Sequence, residues 1–225
     1  MKLQILLLLA LAGIFSSGAL AQTQGDDPVS LVENITGSIF ADVTENLEEY
    51  TANPEALEDL IRTDLMPLLD INYSARLILG RAGRGIEKEK VEEFATSMSN
   101  LLIDRYSNAL LQFSSKIKLQ VLPQRGDLNE KLTRVRTRVT LPSGGEAPVD
   151  YAFRKTPEGW KAFDVVVEGI SYVTTYRNQI MPEVQANGID SVIERLNSCL
   201  LYTSPSPRDE QFHLVCRLLL ENGGG

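Results

Sequence analysis

The segment RVRTRVTL, residues 134–141, decides the fold of this chain, because its side chains alternate between two chemical types. Odd-numbered positions carry aliphatic side chains or threonine, and even-numbered positions carry arginine until Thr140. Successive side chains of a β-strand point to opposite faces, so a period of two predicts a strand with one apolar and one positively charged face. Val139 should therefore point inward from the middle of this strand, away from Arg138.

The same period of two recurs in three flanking segments, near residues 116–121, 149–154 and 162–167. Turn-forming residues separate the segments, as in Pro142-Ser143-Gly144-Gly145 and Thr156-Pro157-Glu158-Gly159. This order predicts a four-stranded antiparallel meander with one apolar face. The inward positions of the flanking strands are Ile117, Leu119, Val121, Val149, Tyr151, Phe153, Phe163, Val165 and Val167.

Helical periodicity lies on both sides of the strands. Asp27-Pro28 and Asn53-Pro54 each pair a capping residue with a proline, which is typical of a helix start. The longest amphipathic stretch predicts a helix at about residues 87–113. After Gly169 the helical period returns, and it stops at Asn197. The chain is therefore predicted to be an α+β domain, with helices packed on one face of a four-stranded antiparallel sheet.

The first 21 residues have the pattern of a secretory signal peptide. Lys2 supplies the positive charge, Leu3 to Phe15 supply an apolar run, and Ala19-Leu20-Ala21 forms a small-residue cleavage site. The run is too short for a membrane-spanning helix, which needs about 20 apolar residues. We therefore expect residues 1–21 to be removed and the mature protein to be exported.

The end of the chain has a different character. Residues 198–209 resemble a translated sequencing-adapter read-through, and the alternative is a natural Pro/Ser linker with a short tail. The only cysteines and the only histidine, Cys199, Cys216 and His213, all fall after residue 197. We therefore predict one domain at residues 22–197 and a non-native tail at residues 198–225.

Composition excludes several classes of function. The net charge of -8 argues against binding to nucleic acid. Because residues 22–197 contain neither cysteine nor histidine, they cannot form a zinc finger, a thiol nucleophile or a Ser-His-Asp triad. The carboxylates of the strands are those that an antiparallel sheet keeps on its polar face. We therefore expect no enzyme, no metal and no cofactor.

The positively charged strand face has two interpretations. Arg134, Arg136 and Arg138 could form a docking patch for an acidic partner or a lipid headgroup. The alternative, which the pattern favours, is that these arginines pair with Asp150 and Asp164 on the neighbouring strands.

One segment carries a family resemblance. Residues 160–172, WKAFDVVVEGISY, followed by TYRNQ at 175–179, resemble the signature of the MlaC family, the toluene-tolerance or phospholipid-shuttle proteins of the Gram-negative periplasm. LMPLLD at 65–70, ARLILG at 75–80 and NGID at 187–190 fit the same family. The resemblance covers nearly all of residues 28–197. It fails after Gly80, where the family has an aromatic residue, usually tryptophan, and this chain has Arg81-Ala82-Gly83-Arg84.

The resemblance implies a monomeric periplasmic carrier that encloses phospholipid acyl chains in a cavity between sheet and helices. Phospholipid would be its cargo rather than a cofactor. Its partners would be an outer-membrane lipoprotein–porin complex and the substrate-binding subunit of an inner-membrane ABC transporter, in a system of outer-membrane lipid asymmetry. The acyl-facing candidates are Phe94, Met98, Leu101, Val139, Tyr151, Phe153, Val165, Val167 and Tyr176.

Two alternatives stay open. One is a periplasmic adaptor with a solid core that docks to an ABC transporter without lipid cargo. The other is a small hydrolase that uses an Asp/Tyr pair such as Asp164 and Tyr151. The alternation along the strands argues against this pair, because residue 151 falls on the apolar face and residue 164 on the polar face.

Overall fold

A computed structural model of the chain describes residues 27–113, 118–123, 130–140 and 145–201. The predicted signal peptide and residues 202–225 of the predicted tail lie outside these ranges. The helices are α1 Pro28–Glu45, α2 Leu47–Ala52, α3 Pro54–Leu60, α4 Ile71–Leu79, α5 Lys88–Phe113, α6 Tyr172–Asn187 and α7 Ile189–Leu201. The strands are β1 Lys118–Val121, β2 Leu132–Thr140, β3 Glu146–Thr156, β4 Gly159–Val167 and β5 Ile170–Ser171.

The strands form one antiparallel sheet in chain order, β1-β2-β3-β4-β5. The first four correspond to the four predicted strands, and β5 adds a two-residue pairing at the end of β4. The prediction of an α+β domain built on an antiparallel meander is confirmed.

Local sequence determines where α1 begins. The carboxylate of Asp27 accepts hydrogen bonds from the backbone N–H groups of Val29 and Ser30, and Pro28 occupies the first helical position. After α3 the chain passes through a π-helical turn, Ile61–Leu65, and a short 3-10 turn. These turns bring the backbone N–H of Asp70 to the carbonyl of Ala162, at 2.8 Å, which joins the helical half to the edge of β4.

The described residues form three apolar clusters rather than one continuous core. The largest lies among α4, α5, α6 and α7 and contains Phe94, Met98 and Leu196. A second joins α1, α2, α3, the π-helical turn and the second half of α5. The third packs Val32 of α1 against Val135 and other residues of the sheet. Helices α4 to α7 and the sheet therefore have separate cores, and α1 contributes to both the second and the third cluster.

The predicted alternation along β4 is wrong before Asp164. Ala152 pairs with Asp164, but the next residue, Phe153, pairs with Ala162, so Phe163 is an extra residue in a β-bulge. A bulge shifts the alternation by one residue. Ala162 consequently joins the apolar cluster with Phe153, and the ring of Phe163 packs edge-on against Tyr73 of α4 at 5.2 Å.

The predicted end of the last helix is also wrong. Helix α7 continues past Asn197 to Leu201. Leu196, with 1% of its surface exposed, anchors this last part of the helix in the largest cluster. No helix within the described ranges is both long enough and apolar enough to span a membrane.

Candidate functional site

The apolar face of the sheet begins as a closed core beneath α1. Val135 of β2, Phe153 of β3 and Ala162 of β4 pack against Val32 and are almost fully buried. Thr137, the next inward residue of β2, has no exposed surface, and its hydroxyl donates a hydrogen bond to the carbonyl of Val149 at 2.6 Å. At this end the face is therefore tightly packed.

The same face is more open towards the other end of the strands. Val139 lies opposite Ala147, Val149 opposite Val167, and Tyr151 opposite Val165. Four valines here, Val139, Val149, Val165 and Val167, are only half-buried, and they belong to none of the three clusters that the described residues form. This part of the sheet is thus an aliphatic surface with incomplete cover, which we call the open valine face.

The predicted acyl-facing residues do not lie in one place. Phe94, Met98, Leu101 and Tyr176 pack in the cluster of α4 to α7. Tyr151 and Phe153 belong to the cluster between α1 and the sheet. Val139, Val165 and Val167 lie on the open valine face.

Tyr151 lies next to the open valine face, and its hydroxyl has no hydrogen-bond partner among the described residues. Burial raises the pKa of this phenol, because desolvation disfavours its anion. The group is therefore a neutral hydrogen-bond donor beside an apolar surface.

The Asp164–Tyr151 pair that a hydrolase would need is not formed. Tyr151 lies opposite Val165, whereas Asp164 lies opposite Ala152 on the other face of the sheet. Both carboxylate oxygens of Asp164 accept hydrogen bonds elsewhere, from the hydroxyl of Ser171 and the backbone N–H of Val173. Asp164 thus holds the start of α6.

The arginines of β2 are largely engaged with neighbouring groups. Arg134 forms an ion pair with Asp150 at 3.5 Å, as the pairing interpretation predicted. Arg138 pairs with Glu146, and Arg136 donates to the carbonyl of Pro123 at 2.6 Å. The predicted pairing with Asp164 is wrong, because the bulge and α6 direct that carboxylate to the helix start.

A cleft that the sequence did not predict lies at the junction of α4 and α6. Its volume is about 410 Å³, and it is lined by Arg76, Leu77, Gly80, Arg81, Arg84, Arg177 and Met181. Three of these arginines are close in sequence, but Arg177 reaches the cleft only because α6 packs on α4. The signal that could have been read was the presence of Arg76, Arg81 and Arg84 on both sides of Gly80.

The described residues were also searched for side chains that could bind a metal ion. Within the ranges that the structure describes, no three His, Cys, Asp or Glu side chains cluster closely enough to hold a metal ion.

Comparison with known proteins assigns the chain to a family. A family model described as MlaC protein matches residues 33–198. The toluene tolerance protein ttg2D of Pseudomonas putida is 29% identical over 164 residues, which cover 72% of this chain and 75% of that protein. The intermembrane phospholipid transport system binding protein MlaC of Haemophilus influenzae is 25% identical over 198 residues, which cover 85% and 89%.

A solved structure shares the fold. The phospholipid-binding protein from Ralstonia solanacearum, in complex with a phospholipid, matches with a TM-score of 0.71 and 21% identity. The match covers 78% of this chain and 98% of that protein. Because the family model spans most of the α+β domain described above, this chain belongs to the MlaC family.

Proposed function

We propose that the chain is a periplasmic phospholipid-binding carrier that moves lipid between the two membranes of a Gram-negative cell. The observation that carries the proposal is the open valine face, a half-covered aliphatic surface on an otherwise well-packed sheet. Membership of the MlaC family supports it. So do the name of the Haemophilus relative, a phospholipid transport system binding protein, and the phospholipid in the Ralstonia structure.

The energetics explain why a binding protein is sufficient. Exposing two acyl chains to water costs on the order of 20 kcal/mol, at about 0.8 kcal/mol per CH₂ group. A carrier must therefore cover the tails, while the headgroup can stay in water. Both membranes cover the tails equally well, so transfer requires a protected path and docking partners rather than catalysis.

We assign the acyl contacts to the sheet residues of the predicted set. Val139, Val165 and Val167 would contact the tails directly, and Phe153 would close the inner end of the site. The hydroxyl of Tyr151 would donate a hydrogen bond to an ester oxygen of the lipid, which would satisfy a buried polar group.

The remaining predicted residues have a different role in this proposal. Phe94, Met98, Leu101 and Tyr176 pack within the helical layer, and we assign them to its stability. The partners we propose are an outer-membrane lipoprotein–porin complex and the substrate-binding subunit of an inner-membrane ABC transporter. Arg134 and Arg138 keep exposed guanidinium groups that could rearrange to meet such partners. The carrier would act as a monomer after removal of residues 1–21.

Lipid analysis of the isolated protein tests the proposal. The full chain, expressed with its own N-terminal segment in a Gram-negative host, should be recovered from the periplasm with about one diacyl phospholipid per chain. The lipid content should not change with salt, because screening acts on exposed charges and not on buried hydrocarbon. A lipid-free protein that also takes no lipid from liposomes would favour the adaptor instead. Release of lysolipid or fatty acid during incubation would favour the hydrolase.

A further inference from the structure

Four arginines line the cleft between α4 and α6, which we call the arginine cleft. Arg76 lies in the last turn of α4, Arg81 and Arg84 lie in the loop that follows, and Arg177 lies in the first half of α6. The cleft volume of about 410 Å³ falls within the range of about 300–1,000 Å³ that is typical of small-ligand sites.

None of these four cations has an acidic partner in the part of the chain that the structure describes. No carboxylate oxygen there lies within 4.0 Å of their side-chain nitrogens. Other arginines do have carboxylate partners, namely Arg62, Arg134, Arg138, Arg154 and Arg195. Four like charges that share one cleft repel each other, and a bound anion would relieve that repulsion.

A hydrogen bond within the protein holds Arg177 in place before any ligand binds. The Nε of Arg177 donates a hydrogen bond to the carbonyl of Leu77 at 2.5 Å, which ties α6 to α4. A guanidinium group has five N–H donors, so this bond leaves the terminal nitrogens of Arg177 available to a ligand. Gly80 also lines the cleft, and a Cβ atom there would lie 3.4 Å from Met181 Sδ and 3.6 Å from Arg177 Cδ.

We propose that the arginine cleft binds a phosphate group, either as free phosphate or as the phosphodiester of a lipid headgroup. All four cations are arginine rather than lysine, and the planar guanidinium fork matches phosphate oxygens in a bidentate way. Leu77 and Met181 give the cleft an apolar side that would contact the carbon atoms of a phosphate ester. The cleft is built from helices and a loop and not from the open valine face, so this site is additional to the proposed cargo site.

The clustering of the arginines favours a compact anion over an acidic protein surface. Arginines of α4, of the loop that follows and of α6 line the same cleft, so several of them can contact one small anion. An extended acidic protein segment would instead be met by cations spread along an element, such as those of β2.

Binding measurements on matched charge variants test the proposal. The cleft variant Arg76→Gln/Arg81→Gln/Arg84→Gln changes three exposed side chains and keeps the structural bond of Arg177. The control variant Arg62→Gln/Lys88→Gln/Lys155→Gln removes the same charge from exposed positions outside the cleft. Inorganic phosphate binding is measured by calorimetry. Membrane binding is measured by sedimentation with phosphatidylcholine vesicles that contain phosphatidylglycerol, with and without added phosphate.

The cleft variant should bind phosphate at least about tenfold more weakly than the wild type, and the control variant should bind it normally. If the protein binds vesicles and added phosphate competes with this binding, the ligand is the phosphate of a lipid headgroup. If the protein binds phosphate but not vesicles, the ligand is free phosphate. Equal affinity in the cleft variant, or an equal loss in the control, would overturn the proposal. The proposal would also be overturned if the wild-type protein bound an oligoglutamate peptide but neither phosphate nor vesicles.

The phospholipid content per chain separates this proposal from the cargo proposal. It should be the same in the wild type and the cleft variant. Loss of cargo in the cleft variant would show that the cleft belongs to the cargo site, and the additional site would be rejected. A wild type without cargo that still binds phosphate through these arginines would reject the carrier and keep the phosphate site.

Discussion

Asp164 of β4 accepts a hydrogen bond from the hydroxyl of Ser171 at 2.6 Å, and its second oxygen accepts one from the backbone N–H of Val173 at 3.0 Å. Ser171 in turn accepts from the backbone N–H of Thr174. The sheet thus supplies a negative charge to the first turn of α6, where the helix dipole favours it. This contact links the sheet to the helix that contributes to the arginine cleft.

Removing this carboxylate should destabilise the fold. Asp164→Ala leaves the backbone N–H of Val173 and the start of α6 without their acceptor, so the free energy of unfolding should fall by about 1–3 kcal/mol. Asp164→Asn keeps one acceptor oxygen and should cause a smaller loss. Urea unfolding followed by circular dichroism measures both. Asp59→Ala, an exposed carboxylate of α3, is the control and should change stability little. An equal effect at both positions would show that Asp164 does not hold the helix.

The two glycines Gly80 and Gly37 should respond oppositely to alanine. Gly80 has φ +52° and ψ -124°, a conformation that a side chain strains, so Gly80→Ala should lower stability by about 1–3 kcal/mol. Gly37 lies within α1 with no atom near its potential Cβ, so Gly37→Ala should raise stability by about 0.5–1 kcal/mol. Thermal and urea unfolding check the signs, and a stable Gly80→Ala protein would disprove the strain.

Tyr50 gives the stability a specific dependence on alkaline pH. Its hydroxyl donates to the carboxylate of Asp42, and this hydrogen bond, together with burial, raises the pKa of Tyr50 from 10.0 to about 12. Because the folded-state pKa is the higher one, the stabilisation is fully present below pH 10 and is lost as the pH rises through 12. Tyr50→Phe should therefore be less stable than the wild type below pH 10, and the difference should shrink above it. Asp42→Asn should lower the pKa of Tyr50, as seen in the ultraviolet absorbance of tyrosinate. A constant difference at all pH values would exclude this linkage.

Bulk added at Val139 tests whether the open valine face receives acyl chains. In a closed core, Val139→Trp would cost about 1–3 kcal/mol because overpacking strains the neighbours. Above an open face, the indole can occupy space that the tails leave, so bound phospholipid should fall while the denaturant midpoint of delipidated protein changes little. Arg136→Trp, on the other face of β2, should leave lipid content unchanged. A large decrease in the denaturant midpoint, with no change in phospholipid content per chain, would place Val139 in a solid core.

Several elements could be predicted because their signals are local. The alternation in residues 134–141 predicted β2 and the inward direction of Val139, and Asp27-Pro28 predicted the start of α1. The bulge at Phe163 could not be predicted, because an extra residue has no compositional signature and shows only in the pairing with β3. Phe94 and Val165 were both predicted to face the acyl chains, yet Phe94 packs among the helices and Val165 lies on the sheet. The sequence could not separate them, because periodicity identifies an apolar face but not what covers it.

The sequence by itself determined the periodicities, the turns and caps, the absence of histidine and cysteine from residues 22–197, and the likeness to the MlaC family. These features depend on neighbours within a few residues or on composition. Only the tertiary structure decided that Asp164 holds α6, that Arg134 pairs with Asp150, and that Arg177 joins three arginines about 100 residues earlier in one cleft. The physical reason is that ion pairs, capping across elements and shared clefts depend on distances of a few ångströms between segments that are remote in the chain, and packing alone sets those distances.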